Sequence, residues 1–447
     1  MAAENYVLLE RIELNASAAS ITFANIPQSG YTDLKVVASP RSDRSGGAWN
    51  GMSLTFNGST STYSSKILEG GDSVAVSANG GSSSFALNST GLLYSSTFAN
   101  NEIYIPNYTS SNFKSVSIDS VSEGNQSGGV YQTMVAGLWS TTAAITSITL
   151  TSLSTGNNFV QYSTFSLYGL AAVGTTPAIA PKAAGGDVIA YDGTYWYHAF
   201  RTTGAFVPQT GLSCDLLVIG GGAGGAKSGG GAAGVLTYSA ANSLTITSYT
   251  VTVGAGGAGS GTTSSAVGTS GGASSVNSVT GNGGTGGRGI SAATFPAQGG
   301  DSGSNTGGAG GANAAYQGGG GGGGTAGNGT AGTFVSTSGN NAGGAGGVGS
   351  NVYSSWASAT STGVSGYYAS GGGGGGGYST GVNSTAGSAS SGGGGAGGAG
   401  GITNATSGTT GTANTGGGGG GGGVGGATDG SGVAGGSGIV IIRYLAA

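Results

Sequence analysis

The sequence predicts an all-β protein in two parts: an N-terminal jelly-roll-like β-sandwich, then a glycine-rich domain of β-strands with polyglycine II excursions. Three observations carry this. Short apolar runs alternate with polar residues at period two through residues 1–172. No segment there keeps the i, i+3, i+4, i+7 spacing of an amphipathic helix for long. And 104 of the 447 residues are Gly, gathered into long runs from Gly220 onward.

In the first part the strand candidates are Ser20-Ile21-Thr22-Phe23, Leu34-Lys35-Val36-Val37 and Met52-Ser53-Leu54-Thr55-Phe56. Asn101 to Pro106, Phe113 to Ile118, Ala144 to Leu150 and Phe165 to Tyr168 follow. Turn signals separate them: Asn57-Gly58, Asn79-Gly80, Glu123-Gly124-Asn125 and Thr155-Gly156-Asn157. The two Asn-Gly pairs are the strongest, because both residues tolerate positive φ. About eight to ten strands in this length suit a two-sheet sandwich with one core. Tyr6, Phe23, Phe56, Trp139, Phe165 and Tyr168 are its expected anchors. A linker over 173–186, holding Pro177, Pro181 and a small-residue tail, is expected to break the sheet.

The second part, 187–447, opens with strand-like Asp187 to Tyr191, Tyr195 to Phe200, Gly204 to Val207 and Leu216 to Ile219. It closes with the apolar run Gly438-Ile439-Val440-Ile441-Ile442-Arg443-Tyr444. Opening and closing strands of one sheet would make the glycine segments long excursions from it. Glycine runs reach seven at 318–324, seven at 371–377 and eight at 416–423. Disorder is one reading, since Gly loses the most backbone entropy on ordering. Disordered chains usually carry charge and Pro, however, and no Pro follows Pro296. The other reading is an array of polyglycine II helices, three residues per turn, in which neighbouring backbones bond to one another. Collagen needs strict Gly-X-Y repeats and much Pro, and both are absent.

Composition narrows the chemistry. Only 6% of residues are charged and the net charge is -4, so nucleic acid has no basic footprint to bind. One His (His198) and one Cys (Cys214) exclude an intrachain disulfide and a multi-His/Cys metal site within the chain. Both are read as buried strand residues. The sequence therefore gives no catalytic residue, no metal ligand set and no cofactor. The N-terminus lacks a signal-peptide pattern, and no apolar run approaches a membrane span. Gly220-Gly221-Gly222-Ala223-Gly224-Gly225 fits the dinucleotide fingerprint, but a poor helix former follows it. Asp119 and Glu123 could hold a cation or serve a depolymerase; solvated strand and turn positions are the plainer reading. Aromatic residues in the glycine region, Phe295, Tyr316, Phe334, Tyr353, Trp356, Tyr367, Tyr368 and Tyr378, are expected at edges or loop tips. Tyr353, Trp356, Tyr367, Tyr368 and Tyr378 are the candidate receptor-binding set, with packing between strands or subunits as the alternative.

Tyr191 to Phe200, Cys214 to Gly225 and Gly436 to Tyr444 together resemble the glycine-rich domain of phage tail fibres and other virion appendages. The N-terminal part, through Ile21 to Pro27, Tyr31 to Leu34, Glu102 to Tyr108 and Phe165 to Gly169, resembles N-terminal modules of phage structural proteins. The resemblance implies a non-enzymatic protein on the virion surface, on tail or capsid, assembled in the host cytoplasm. Its implied partners are other virion proteins and a host surface glycan or outer-membrane protein, with a homotrimer expected. Two roles stand open: a tail fibre or spike that attaches to the host, or a capsid decoration (head-fibre) protein.

Overall fold

The computed structural model describes residues 6–45, 49–71, 74–90, 97–122, 131–153, 157–171, 180–263, 266–289, 297–312 and 316–446. The expected turn at Glu123 to Asn125, most of the turn at Thr155-Gly156, the linker's 173–179 and Phe295 lie outside them. The protein is all-β, with a single short helix among the described residues. It divides into two compact units: 1–182 with 187–196 and 445–447, and 183–186 with 197–444. Residues 187–196, read from sequence as the start of the second domain, thus group with the first unit.

The first unit holds β1 (Tyr6–Glu13), β2 (Ser20–Phe23), β3 (Tyr31–Ser39), β4 (Trp49–Phe56), β5 (Tyr63–Gly71) and β6 (Val74–Asn79). β7 (Phe85–Thr90), β8 (Asn100–Ile105), β9 (Lys114–Ser122), β10 (Tyr131–Trp139), β11 (Ile148–Ser152) and β12 (Thr164–Ala171) follow. One sheet runs β1-β12-β3-β8-β9-β10-β5-β6, and a four-stranded sheet runs β2-β11-β4-β7. Both are antiparallel, so one face of each can be apolar and the other wet. β9 shows this directly: Val116 and Ile118 are buried, while Ser115, Ser117 and Asp119 are exposed. The two apolar faces meet in one core, where Phe56, Tyr63, Phe85 and Trp139 pack with ring centroids 5.0–6.3 Å apart. Phe23, Phe56, Trp139 and Phe165 anchor this core as expected, but Tyr6 and Tyr168 do not. Tyr6 is 44% exposed and Tyr168 is half-buried, because the pleat turns them away from the face that buries Phe165 and Leu167. Asn57 (φ 51°) and Gly58 (φ 67°) form the positive-φ turn that the Asn-Gly pair predicts.

The second unit is built on β13 (Ala183–Ala184), part of β15 (Tyr195–Phe200), β16 (Gly204–Pro208), β17 (Leu212–Ile219) and β18 (Leu236–Leu244). β14 (Val188–Tyr191) belongs to the first unit, where it pairs with β1. β19 (Tyr249–Val251), β20 (Ser274–Val276), β21 (Val279–Gly281), α1 (Ser354–Thr360) and β22 (Ile439–Leu445) complete the set. β22 pairs antiparallel with β17, Ile439 opposite Ile219 and Tyr444 opposite Cys214. The glycine segments leave from and return to this sheet.

Among the described residues those segments are ordered, and their hydrogen bonds repeat every third residue. Gly220 and Ala223 donate to Val235 and Ala232; Gly221 and Gly224 to Gly272 and Thr269; Gly222 and Gly225 to Gly436 and Val433. Three successive amides therefore reach three different neighbouring segments, the pattern of a helix with three residues per turn. The run 371–377 repeats it: Gly371, Gly374 and Gly377 donate to Gly347, Gly344 and Asn341, Gly372 and Gly375 to Gly231 and Ser228, and Gly373 and Gly376 to Gly395 and Gly398. Neighbours run both parallel and antiparallel. The spacing leaves no room for a side chain at the centre. A Cβ on Gly222 would collide with the Gly417 carbonyl, and one on Gly374 with that of Gly319. At the rim only one position in three carries this demand. In Thr406-Ser407-Gly408-Thr409-Thr410-Gly411-Thr412, Gly408 and Gly411 point inward against Gly420 and Gly417. Thr406 and Thr409 instead clasp the next segment, their hydroxyls accepting from the Ala399 and Ala396 amides at 2.8 and 2.7 Å.

Candidate functional site

The lattice has two ends, fixed by its connectivity. Gly220 follows β17 and Val235 precedes β18, so these mark the sheet end; the turn 226–229 marks the far end. The run 416–424 starts beside Gly234 and finishes beyond Ala226, so it travels outward, as does 371–377. The five candidate receptor-binding residues therefore do not form one surface. Tyr378 lies at the far end; Tyr353, Trp356, Tyr367 and Tyr368 lie in one excursion at the sheet end.

At the far end several loops bind one another. The Gly377 amide donates to Asn341 O at 2.8 Å, and Asn341 Nδ2 donates to Tyr378 O at 3.0 Å. Thr380 N donates to Thr337 O at 2.9 Å, and Ile402 N to Asn383 Oδ1 at 3.1 Å. On this frame Tyr378 stacks on Tyr316, centroids 5.3 Å apart at 24°. Val335 (66%), Val382 (44%) and Ile402 (43%) are exposed in the same loops. No Asp, Glu, Lys, Arg or His occurs between Asp301 and Asp429. Lys227 and Asp429 neutralise one another at 2.6 Å.

The sheet-end excursion folds on itself. Ser350 and Tyr368 exchange backbone bonds at 2.9 and 3.0 Å, and Val364 and Tyr367 close a tight loop through positive-φ Ser365 and Gly366. Tyr368 is fully buried and its hydroxyl bonds Thr362 Oγ1 at 2.5 Å. Trp356, on α1, is 2% exposed. Both rings thus contact the chain itself rather than solvent. Tyr353 and Tyr367 are half-buried, with part of each ring in solvent. Trp356 packs edge-on against Tyr197 (5.7 Å), Tyr238 (6.1 Å) and Tyr353 (5.8 Å). Arg443 lies over its ring at 4.4 Å and donates from Nε and Nη2 to Asp215 Oδ2 at 3.0 and 2.9 Å. Asp215 and Arg443 face each other across β17 and β22. Burial, foremost, raises the Tyr238 and Tyr353 hydroxyl pKa values, so both rings stay neutral at physiological pH. Sequence reading missed Tyr238, Asp215 and Arg443, because only the pairing of β18 and β22 on either side of β17 brings them to Trp356.

The remaining polar candidates fall elsewhere. His198 is buried between Gly185 O (2.6 Å) and the Tyr444 hydroxyl (3.0 Å), and burial pushes its pKa down to about 4. Burial, with Asp215 beside it, pushes the Cys214 thiol up to about 12, far from a reactive thiolate. Asp119 is exposed on β9 opposite Glu102, which pairs with Lys35 at 2.6 Å; Glu123 lies outside the described residues. The amides of Gly220, Gly221 and Gly222 are all engaged by lattice carbonyls, leaving none of the three to cradle a phosphate. Among the described residues no group of three His, Cys, Asp or Glu side chains could hold a metal ion, and no helix is long and apolar enough to cross a membrane. A family model described as a glycine-rich domain matches residues 201–445. No curated protein matches the chain.

Proposed function

We propose, from the premise that this chain belongs to the glycine-rich domain family, that it is a bacteriophage virion structural protein of tail-fibre or spike type that attaches to the host cell surface. The observation that carries this is the far end of the lattice. A frame held by backbone bonds needs little from its side chains, so the loops between its helices are free to serve contact. Those loops hold a stacked Tyr316–Tyr378 pair and exposed Val335, Val382 and Ile402, with no charged side chain between Asp301 and Asp429. Tyrosine set among Ser, Gly and Asn gives contact area at low entropic cost. The receptor this surface suits is an uncharged one, a glycan or an outer-membrane protein loop. The first unit would join other virion proteins. Leu68 and Met134, paired across β5 and β10, are 58% and 54% exposed and form an apolar spot for such a contact. A homotrimer remains the expected assembly.

The test is saturable binding of the fluorescently labelled full chain to host cells. Loss of binding in Tyr378→Ala, with unfolding temperature unchanged, supports the reading. A chain that ignores cells and binds virions or empty capsids instead would favour the decoration role.

A further inference from the structure

The sheet end of the glycine-rich unit carries a second cluster that attachment through the far end does not use. Tyr238 and Tyr353 meet at 5.2 Å with their planes 34° apart, which makes a shallow aromatic shelf. Tyr238 is 39% exposed and Tyr353 is half-buried, so the shelf is open to solvent. Behind it buried Trp356 packs edge-on against both rings, and buried Tyr197 packs against Trp356 in turn. Beside it the Asp215–Arg443 pair is locked: Arg443 by two bonds to Oδ2 and by the Trp356 face, Asp215 also by the Ala241 amide at 3.1 Å. The pair keeps about a fifth of each side chain in solvent, at 20% for Arg443 and 21% for Asp215.

We propose that Tyr238 and Tyr353, with Asp215 and Arg443 at their margin, form a binding site for the apolar face of a neutral pyranose ring. The chemistry selects this class. A flat apolar face with fixed aromatic planes suits the axial C–H face of a sugar, and pre-ordered rings lose little entropy on binding. The polar margin has no net charge. A phosphate or carboxylate would meet Asp215, and an ammonium would meet Arg443, so either pays repulsion from one partner. Hydroxyl groups both donate and accept, and so can use the carboxylate, the guanidinium and the two phenols together. A single ring of this size on an open shelf binds weakly, with Kd about 1 mM.

The experiment is saturation-transfer difference NMR on the full chain with methyl β-D-glucopyranoside, methyl β-D-galactopyranoside and methyl N-acetyl-β-D-glucosaminide. Transfer to the ring C–H protons of at least one glycoside is expected. It should fall at least tenfold in Tyr238→Ala/Tyr353→Ala and persist in Tyr316→Ala/Tyr378→Ala. The second pair separates this shelf from the far-end loops, so either site can fail alone. Tyr353→Trp guards against a double variant that does not fold: it keeps a platform and adds an exposed indole, whose emission should shift with the active glycoside. No transfer from any of the three, undiminished transfer in the folded double variant, or a silent indole would each overturn the site.

Discussion

Replacing Gly374 by Ala adds one methyl group at the centre of the lattice. The new Cβ would lie 2.6 Å from the Gly319 carbonyl carbon and 2.8 Å from Gly320 O, and closest of all to Gly319 O. Real Cβ contacts do not approach so near, and the obstacle is backbone, which cannot rotate aside. Three bonds share the site: Gly374 N to Gly344 O, Gly344 N to Gly319 O and Gly319 N to Gly375 O, each 2.8 Å. Overpacking costs about 1–3 kcal/mol. Lengthening one or two buried hydrogen bonds adds about 1 kcal/mol apiece. The sum, about 2–5 kcal/mol, lowers the unfolding temperature of a unit this size by about 5–15 °C. Differential scanning calorimetry of the full chain reads the shift. Gly211→Ala is the control: it has ordinary φ and nothing within 4 Å of its added Cβ, so it should be neutral or slightly stabilising. A Gly374→Ala transition within about 2 °C of wild type would refute the lattice argument.

Acid should weaken the second unit through His198. Its pKa is depressed to about 4 from an unfolded value near 6.5, so the folded state binds fewer protons; stability is full above about 6.5 and falls by about 3 kcal/mol as pH drops to 4. As the one His of the chain, His198 gives a single set of imidazole NMR resonances, which should report a neutral ring in the folded chain at pH 5. Glu10 has the opposite sign. Burial pushes its carboxyl up to about 8, so its contribution is present below about 4.5 and is lost as pH rises through 8. Glu10→Gln should flatten the fall in urea midpoint between pH 6 and pH 9. At the rim, Thr410→Gly removes an exposed side chain that would obstruct a second backbone lying alongside; light scattering should show concentration-dependent association beyond that of wild type. Cell binding through Tyr378 should change less than twofold between low and high salt, since no charged side chain occurs between Asp301 and Asp429 and the Lys227–Asp429 pair at the same end has no net charge.

The all-β class and most strands of the first unit were legible because period-two burial is a local property. β9 alternates in sequence as it alternates in exposure. Tyr6 and Tyr168 were misread as anchors because residue size says nothing of which face a strand presents. The order of the glycine runs was legible from missing charge and Pro, but not which run neighbours which. A run of identical residues carries no address. One signal was available: Thr406, Thr409 and Thr412 at intervals of three, with Gly408 and Gly411 between them, mark a rim helix with one inward position per turn. The split of the aromatic set between two ends was not legible, because it depends on the direction in which each run leaves the sheet.

The three-residue repeat of the lattice has a further consequence. Sliding a central glycine helix by one turn restores every donor, every acceptor and the same absence of side chains. The interior is therefore translationally degenerate: many alignments are nearly equal in energy there, and only one is native. Discrimination must come from outside, from the β17–β22 pairing, the threonine clasps and the loop lengths, which act as end stops. A chain of this kind has a well-defined native state and a poorly graded path to it. Out-of-register forms should persist as long-lived traps during refolding, and their resolution requires undoing many hydrogen bonds at once.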